Sequence, residues 1–533
     1  MPDARRGGGI MADGQQITLT IEGREVSVAP GTSILEAAKQ AGVLVPHYCY
    51  HPGLPVAGSC RMCLVEVEKA PKLAPACATA AAEGQVVHVF SDRALEQRKS
   101  VLEFLLINHP LDCPICDKSG ECELQDYAYR EGPAQGRLRD PKRFNPAEDF
   151  GGDVLYVTNR CIMCTRCVRF MDSVAQDTVL NVSERGDRAV IGVFEGKGLT
   201  NEWAGNVIDI CPVGALLSKD FLNKARSWEL DRTPSICPNC SQGCNMILET
   251  RDNQVVRMRP RVNTEVNQYY LCDSGRLDYR WMNRTDRIEA PLVRRGDRLA
   301  AADWDEALRA AALHLNGKRA FVLASPMLSN ESLWMLARLV EKTGGNGAFR
   351  VRRGPEVPLP GVKDLALRAE RAANVRGAEL FGFEKTDTPL SGMKDGDVLV
   401  IADHELDEVD QADLARAGAI IVIGTVFPEA ARQAIVALPS TNMAEEEGTF
   451  TNIRGRVQRY QQARSGPGMS HPVWWALGDL LTFLGEGAGH QTAPEAFAAL
   501  AASRPEFSGM SYESIGVKGQ MMATGSEPAR TAG

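Results

Sequence analysis

No apolar run in this chain of 533 residues approaches the ~20 residues of a membrane-spanning helix; the most apolar stretch, AIIVIGTVF at 419–427, is far shorter. Any membrane role is therefore expected to be peripheral. A basic excess is missing too: the net charge is -8, which gives no support to nucleic-acid binding. There is no G-x-G-x-x-G fingerprint, so the chain is not expected to hold a dinucleotide itself. The N-terminal MPDARRGGGIMADGQQ has arginines and glycines but no apolar h-region, and reads as a disordered leader rather than a secretory signal. Hydrophobic content of 44% and charged content of 24% are ordinary for a soluble globular protein of several domains.

Cysteine is unevenly spread: all 15 lie between Cys49 and Cys272, and none follows. An odd number without a secretion signal argues against a disulfide framework and for metal binding. Spacing sorts the cysteines. Cys49, Cys60, Cys63 and Cys77 follow strand-like ITLTIEG and REVSVAP and the helix-like SILEAAKQAG, with strand-like LVEVE at 64–68 between Cys63 and Cys77. Hairpin, helix, cysteine loop and strand is the order of a β-grasp ferredoxin, so these four suit a two-iron cluster.

The run CIMCTRC gives Cys161, Cys164 and Cys167, with Cys211-Pro212 far downstream. Bacterial two-cluster ferredoxins carry C-x2-C-x2-C-x3-C-P runs whose fourth cysteine serves the other cluster. Here Met171 occupies that fourth place, and the second run has shrunk to Cys211-Pro212. One four-iron cluster on Cys161, Cys164, Cys167 and Cys211 is what remains. CPNCSQGC gives Cys237, Cys240 and Cys244, closed by Cys272, which again suits a cubane.

These three sets use twelve cysteines and leave Cys113, Cys116 and Cys122 in HPLDCPICDKSGEC. No cysteine is spare to complete them, so His109, at the end of a helix spaced by Leu95, Leu102 and Leu106, is expected as the fourth ligand. A neutral imidazole in place of thiolate makes a cluster less negative and easier to reduce. His47 and His51 flank Cys49 without a vacancy to fill. Arg160, Arg166 and Arg169 either raise the potential of the nearby cluster or form an ordinary solvated or ion-paired surface. Four structural zincs fit the same arithmetic. Against them, zinc ribbons pair one CxxC with another, whereas these are triplets with one remote partner.

CYHPGLPVAGSCRMCLVEVE, HPLDCPICDKSGECELQD, NRCIMCTRCVRF and GNVIDICPVGAL together resemble the G-subunit family of the NADH-quinone oxidoreductases, respiratory complex I. From Cys237 onward the chain resembles the molybdopterin oxidoreductase family, with EEEGTFTNIRGRVQ at 445–458 similar to that family's segment near the cofactor. The expected fold is multidomain, α+β and α/β. It comprises a leader (1–16), a β-grasp 2Fe-2S domain (17–94), a helical 4Fe-4S segment with one histidine and three cysteine ligands (95–135), a bacterial-ferredoxin-like 4Fe-4S module (136–229), a Mo/W-type 4Fe-4S domain (230–286), a shortened molybdopterin-oxidoreductase-like α/β region (287–510) and a flexible tail (511–533).

The resemblance implies an electron relay in the peripheral arm of a bacterial complex, at the cytoplasmic side of the inner membrane and attached through partners. It implies one 2Fe-2S and three 4Fe-4S clusters. NADH and FMN belong to a partner subunit, and further iron-sulfur subunits lie toward quinone. The chain has no complete active site of its own. Molybdopterin is not expected, because no cysteine after 272 could ligate molybdenum and Ser274 stands where redox-active relatives place a lysine. Rival readings are the large subunit of an NAD-linked formate dehydrogenase, a hydrogenase-diaphorase subunit, and a zinc-stapled scaffold.

Overall fold

The computed structural model describes residues 16–407, 410–487 and 489–523. The leader expected at 1–16 lies outside these residues except for its last position. The chain divides into two compact units, one of residues 1–200 and 207–222, the other of 201–206 and 223–533.

The first unit opens with a five-stranded sheet in the spatial order Arg24–Val28, Ile17–Ile21, Val86–His88, Leu64–Val67, Ala74–Pro75. The first two strands form an antiparallel hairpin, and Ile17–Ile21 runs parallel to Val86–His88. The helix Ile34–Gln40 starts because the Ser33 hydroxyl accepts from the Glu36 N–H, and it buries Ile34, Leu35, Ala37 and Ala38 against the sheet. The Glu36 side chain does not cap the helix in return: its carboxylate accepts from the Tyr50 hydroxyl, at 2.9 Å. This is a β-grasp, and its cysteine loop lies between the helix and Leu64–Val67.

Next comes the helix Asp92–Leu106, capped by Ser91, then a 3-10 turn Cys113–Ile115 and the helix Glu123–Glu131. Two small antiparallel sheets complete this unit: Leu216–Ser218, Val154–Tyr156 and Glu148–Gly151 in one, Leu180–Ser183 and Val190–Val193 in the other.

The second unit is led by an antiparallel sheet of Asp231–Ile236, Asn245–Arg251 and Gln254–Pro260. Its centre is an eight-stranded sheet ordered Arg298–Ala301, Leu292–Arg295, Val436–Pro439, Ala419–Gly424, Val398–Ala402, Ala320–Ala324, Asn346–Phe349, Glu384–Lys385. The strands from Val436–Pro439 to Glu384–Lys385 are parallel, and apolar clusters cover both faces. Alternation explains how one strand serves both: Val398, Val400 and Ala402 enter one cluster, Leu399 and Ile401 the other. Each such buried Val, Leu or Ile contributes about 1.5–3 kcal/mol of transfer free energy. The stretch expected as a flexible tail from 511 differs through 521. Tyr512–Ile515 is a helix with Tyr512 and Ile515 buried, and Gln520–Met521 pairs with Arg456 and Val457. Tertiary burial of those two side chains overrides the polar composition around them. The tail from 524 lies outside the described residues.

Candidate metal centres

Local devices position the cysteines of each set. In the β-grasp, Cys49, Cys63 and Cys77 are buried and Cys60 is partly exposed. Their thiols lie within hydrogen-bonding reach: Cys49 faces Cys60 and Cys77, and Cys63 faces Cys77. The hydrogen bond with Cys49, and burial, push the Cys60 thiol up, while hydrogen bonds from Cys60 and Cys77 pull Cys49 down. Four such thiols cannot all ionise without cationic charge among them. A metal cluster is such a charge.

Cys161, Cys164, Cys167 and Cys211 line one pocket together with Tyr156, Ile162, Arg166, Ile191 and Val213. Burial pushes Cys161 up to about 11 and Cys164 up to about 12, and pushes Cys167 well up too. Met171, in the lost fourth place, is fully buried.

The third set carries His109. Its Nδ1 is buried and has no hydrogen-bond partner among the described residues. Burial first, then the positive charges of Lys142 and Arg160, lower its pKa to about 4, so the ring is neutral, which is the ligating form. Cys116 and Cys122 are buried and Cys113 is exposed. Arg160 adjoins this set, donating to the Asp112 carboxylate at 2.9 Å. Gly214 completes the wall: a Cβ there would stand 2.2 Å from the Cys116 Sγ. The sequence reading missed Gly214, because its requirement is contact with a residue almost a hundred positions away.

Cys237, Cys240, Cys244 and Cys272 are all buried in the second unit. The Cys237 N–H donates to the Cys244 carbonyl at 2.8 Å, closing the loop. A Cβ on Gly275 would lie 3.0 Å from the Cys272 Sγ and 3.3 Å from the Cys237 Sγ, so this glycine too was a hidden requirement. Burial raises Cys237 to about 12 and pushes the other three up.

One geometry recurs in all four sets. The backbone N–H two residues on faces the thiol of Cys60, Cys116, Cys122, Cys161, Cys164, Cys237 and Cys240. Such donors stabilise thiolate over thiol and tune any cluster bound there. In two of the loops a non-glycine residue between cysteines adopts the left-handed region, Arg61 at φ 58°, Met163 at 53° and Thr165 at 57°. That conformation costs about 1–2 kcal/mol per residue, a strain that gathers at functional loops. Buried thiols, inward N–H groups and a neutral imidazole without a partner fit iron-sulfur clusters by donor chemistry.

The three arginines around CIMCTRC are not a solvated surface. Arg160 and Arg166 are buried; Arg166 donates to the Glu123 carboxylate at 3.2 Å and to the Ile210 carbonyl at 3.1 Å, beside Cys211. Arg169 is half-buried and donates to backbone carbonyls. His51 is held neutral, burial lowering it to about 4, and its Nδ1 accepts from the Gly53 N–H at 3.1 Å.

The segment 445–458 turns its polar groups inward. Arg287 makes two 2.8 Å bonds to the Glu445 carboxylate, Glu446 accepts from Thr441 at 2.7 Å and Tyr460 at 2.8 Å, and Gln458 donates to the Gly243 carbonyl at 2.9 Å in the cysteine loop. Ser274 is exposed, and its N–H donates to the Glu202 carboxylate at 2.6 Å.

Comparison with known proteins adds names to these regions. Residues 14–91 match the 2Fe-2S iron-sulfur cluster binding domain, 98–137 the NADH-ubiquinone oxidoreductase-G iron-sulfur binding region and 151–217 the ferredoxin-like domain of NADH-quinone oxidoreductase subunit 3. Residues 230–284 match the molybdopterin oxidoreductase Fe4S4 domain, and 287–391 with 390–483 the molybdopterin oxidoreductase family. The NADH-quinone oxidoreductase G subunit of Rickettsia bellii is 41% identical over 62% of this chain and 49% of its own length. The mitochondrial NADH-ubiquinone oxidoreductase 78 kDa subunit of Candida albicans is 38% identical over 72% of this chain and 52% of its own. The chain thus spans about half the length of the curated relatives it matches. A solved NAD+-reducing [NiFe]-hydrogenase is 31% identical over 39% of this chain and 90% of its own, with a TM-score of 0.36, too low to bear on the fold.

Proposed function

The chain is related to the G subunit of NADH-quinone oxidoreductase, with a C-terminal region related to the molybdopterin oxidoreductases, and from that premise we propose that it is an iron-sulfur electron-relay subunit in the peripheral arm of such a complex. It passes electrons one at a time from a partner subunit that holds NADH and FMN toward quinone, by way of further iron-sulfur subunits. The observation that carries this reading is the pocket in which Cys161, Cys164 and Cys167 meet Cys211.

The ligand sets are Cys49, Cys60, Cys63 and Cys77 for a two-iron cluster, and His109, Cys113, Cys116 and Cys122, then Cys161, Cys164, Cys167 and Cys211, then Cys237, Cys240, Cys244 and Cys272 for three four-iron clusters. They sit in domains 17–94, 95–135, 136–229 and 230–286. Clusters bound there supply reversible one-electron chemistry. The chain's own residues hold them by thiolate and imidazole, exclude water by burial, and set their potentials through N–H···S bonds and the neighbouring arginines. Electrons enter at 49–77, proceed to 161–211 and leave by 109–122; the centre at 237–272 stands off that line. The region 287–510 is a scaffold without molybdopterin, a reading supported by the inward-turned groups of 445–458. Among the described residues no helix is long and apolar enough to cross a membrane. Attachment to the cytoplasmic side of the inner membrane through partners is part of the same proposal.

Elemental analysis of the anaerobically purified chain tests it. About 14 iron atoms per chain, without zinc or molybdenum, is the expected result. Stoichiometric molybdenum would make the C-terminal region catalytic, and zinc in place of iron would end the electron-transfer reading.

A further inference from the structure

Arg169 follows Cys167 by two residues, and its guanidinium engages two ligand loops at once. One Nη donates to the carbonyl of Cys49 and, at 3.1 Å, to the carbonyl of Cys164. The other Nη donates to the Pro55 carbonyl, and Nε to the Thr165 hydroxyl at 3.3 Å. Every guanidinium nitrogen is thus in use, and two of the acceptors are backbone atoms of cysteines from different sets, 115 residues apart in sequence. Its neighbours reach the remaining loops of this unit: Arg160 holds Asp112 beside Cys113, and Arg166 holds Glu123 beside Cys122. Arg160 and Arg166 act through carboxylates, which neutralise their charge. Arg169 acts on carbonyls and a hydroxyl and keeps its own.

Resting on the relay reading above, we propose that Arg169 is the positioning residue for electron transfer between the centre at 49–77 and the centre at 161–211. Its planar fork locks the two loops at a fixed separation. It offers a continuous hydrogen-bonded bridge from the Cys49 carbonyl to the Cys164 carbonyl, and places one uncompensated positive charge between two anionic sites. The step is the loss of one electron by the first centre and its gain by the second. No bond is made or broken, and the guanidinium keeps its proton throughout. A positive charge shared by both sites favours the reduced form of each, so its removal lowers both potentials together. Lysine retains the charge but cannot span three carbonyls.

The test uses the full chain with its iron, as wild type, Arg169→Gln and Arg169→Lys. Three quantities are read: iron content, the midpoint potentials of both centres by redox titration followed by electron paramagnetic resonance, and the rate of electron transfer between them after pulsed reduction. Both variants should keep their iron. R169Q should lower both potentials, R169K should leave them near wild type, and in both the transfer rate should fall about tenfold or more, as misplacement of reacting partners does. A wild-type rate in either iron-replete variant overturns the proposal, as does a potential shift confined to one centre. Loss of iron from both variants would give Arg169 an assembly role and overturn it equally. Failure of the relay reading itself looks different, since the wild-type chain would then hold no iron.

Discussion

The two units bury charge of opposite sign. In the first, the buried charged groups are mainly basic, Arg98, Lys118, Arg160 and Arg166 against Asp117. In the second they are mainly acidic, Glu249, Glu331, Asp397, Asp410, Glu445 and Glu446 against Arg276 and Arg456. A buried charge is tolerated when something of opposite sign meets it or when it is neutralised. Thiolate-bound clusters are anionic, so arginines beside three sets of cysteines suit a region that is complete when metal is bound. The carboxyls at 331 and 446 take the other route, burial inside an apolar α/β frame raising both well above the usual carboxylate range and toward the neutral form. The second unit coheres around its sheet, and the segment 98–217 of the first is expected to depend on bound metal.

Removing iron should loosen the first unit and leave the second intact. In 98–217 no strand among the described residues exceeds four residues, whereas the eight-stranded sheet has apolar clusters on both faces. Chelation of iron under reducing conditions should therefore expose amides in 98–217 to hydrogen exchange, with the strands between 320 and 439 staying protected. Equal loss of protection in both regions would show that the cohesion is shared. At smaller scale, Gly214→Ala should cost about four iron atoms per chain and the spectroscopic signal of one centre, because its Cβ would sit 2.2 Å from the Cys116 Sγ. Gly136→Ala, with nothing within 4 Å of its Cβ, serves as the control and should keep full iron.

What the sequence makes legible follows from what each feature needs. Triplet spacing displays the cysteines because adjacent N–H groups and thiols of one short loop do the work, and the β-grasp and the parallel strands show through alternation and capping. His109 comes from counting, and the structure adds its neutral ring and its buried Nδ1. Gly214 and Gly275 are silent in the sequence, and Arg169 shows there only as a cation beside Cys167, since its hold on the Cys49 carbonyl, like the two glycine contacts, reaches beyond its own stretch of chain. For the same reason the residues around Tyr512 read as a tail: burial against Phe497 and a hydrogen bond to Glu331 are tertiary facts.

His109→Cys changes the charge at one centre of the first unit without removing a ligand. A thiolate in place of a neutral imidazole adds one negative charge, so iron content should stay at the wild-type level while the midpoint potential of that centre falls. An unchanged potential would place His109 outside the ligand set.

The smallest effect belongs to the acidic unit and appears as a pH slope. Burial holds Glu446 up at about 8 and Glu331 at about 7, with Thr441 and Tyr460 bonded to the first and Thr449 and Tyr512 to the second. In the unfolded chain both titrate near ~4.3, so between that pH and 7 to 8 the folded state keeps protons the unfolded state has released. Stability is thus fully present below the unfolded value and declines as pH rises through the folded values, by at most ~1.4 kcal/mol per pH unit for each carboxyl. Thermal unfolding of the α/β region should therefore give a lower Tm at pH 8 than at pH 5. Glu446→Gln keeps the shape of the neutral acid but cannot ionise, so the difference in Tm between those pH values should shrink. A difference as large as in the wild type would move the source of the slope to other groups.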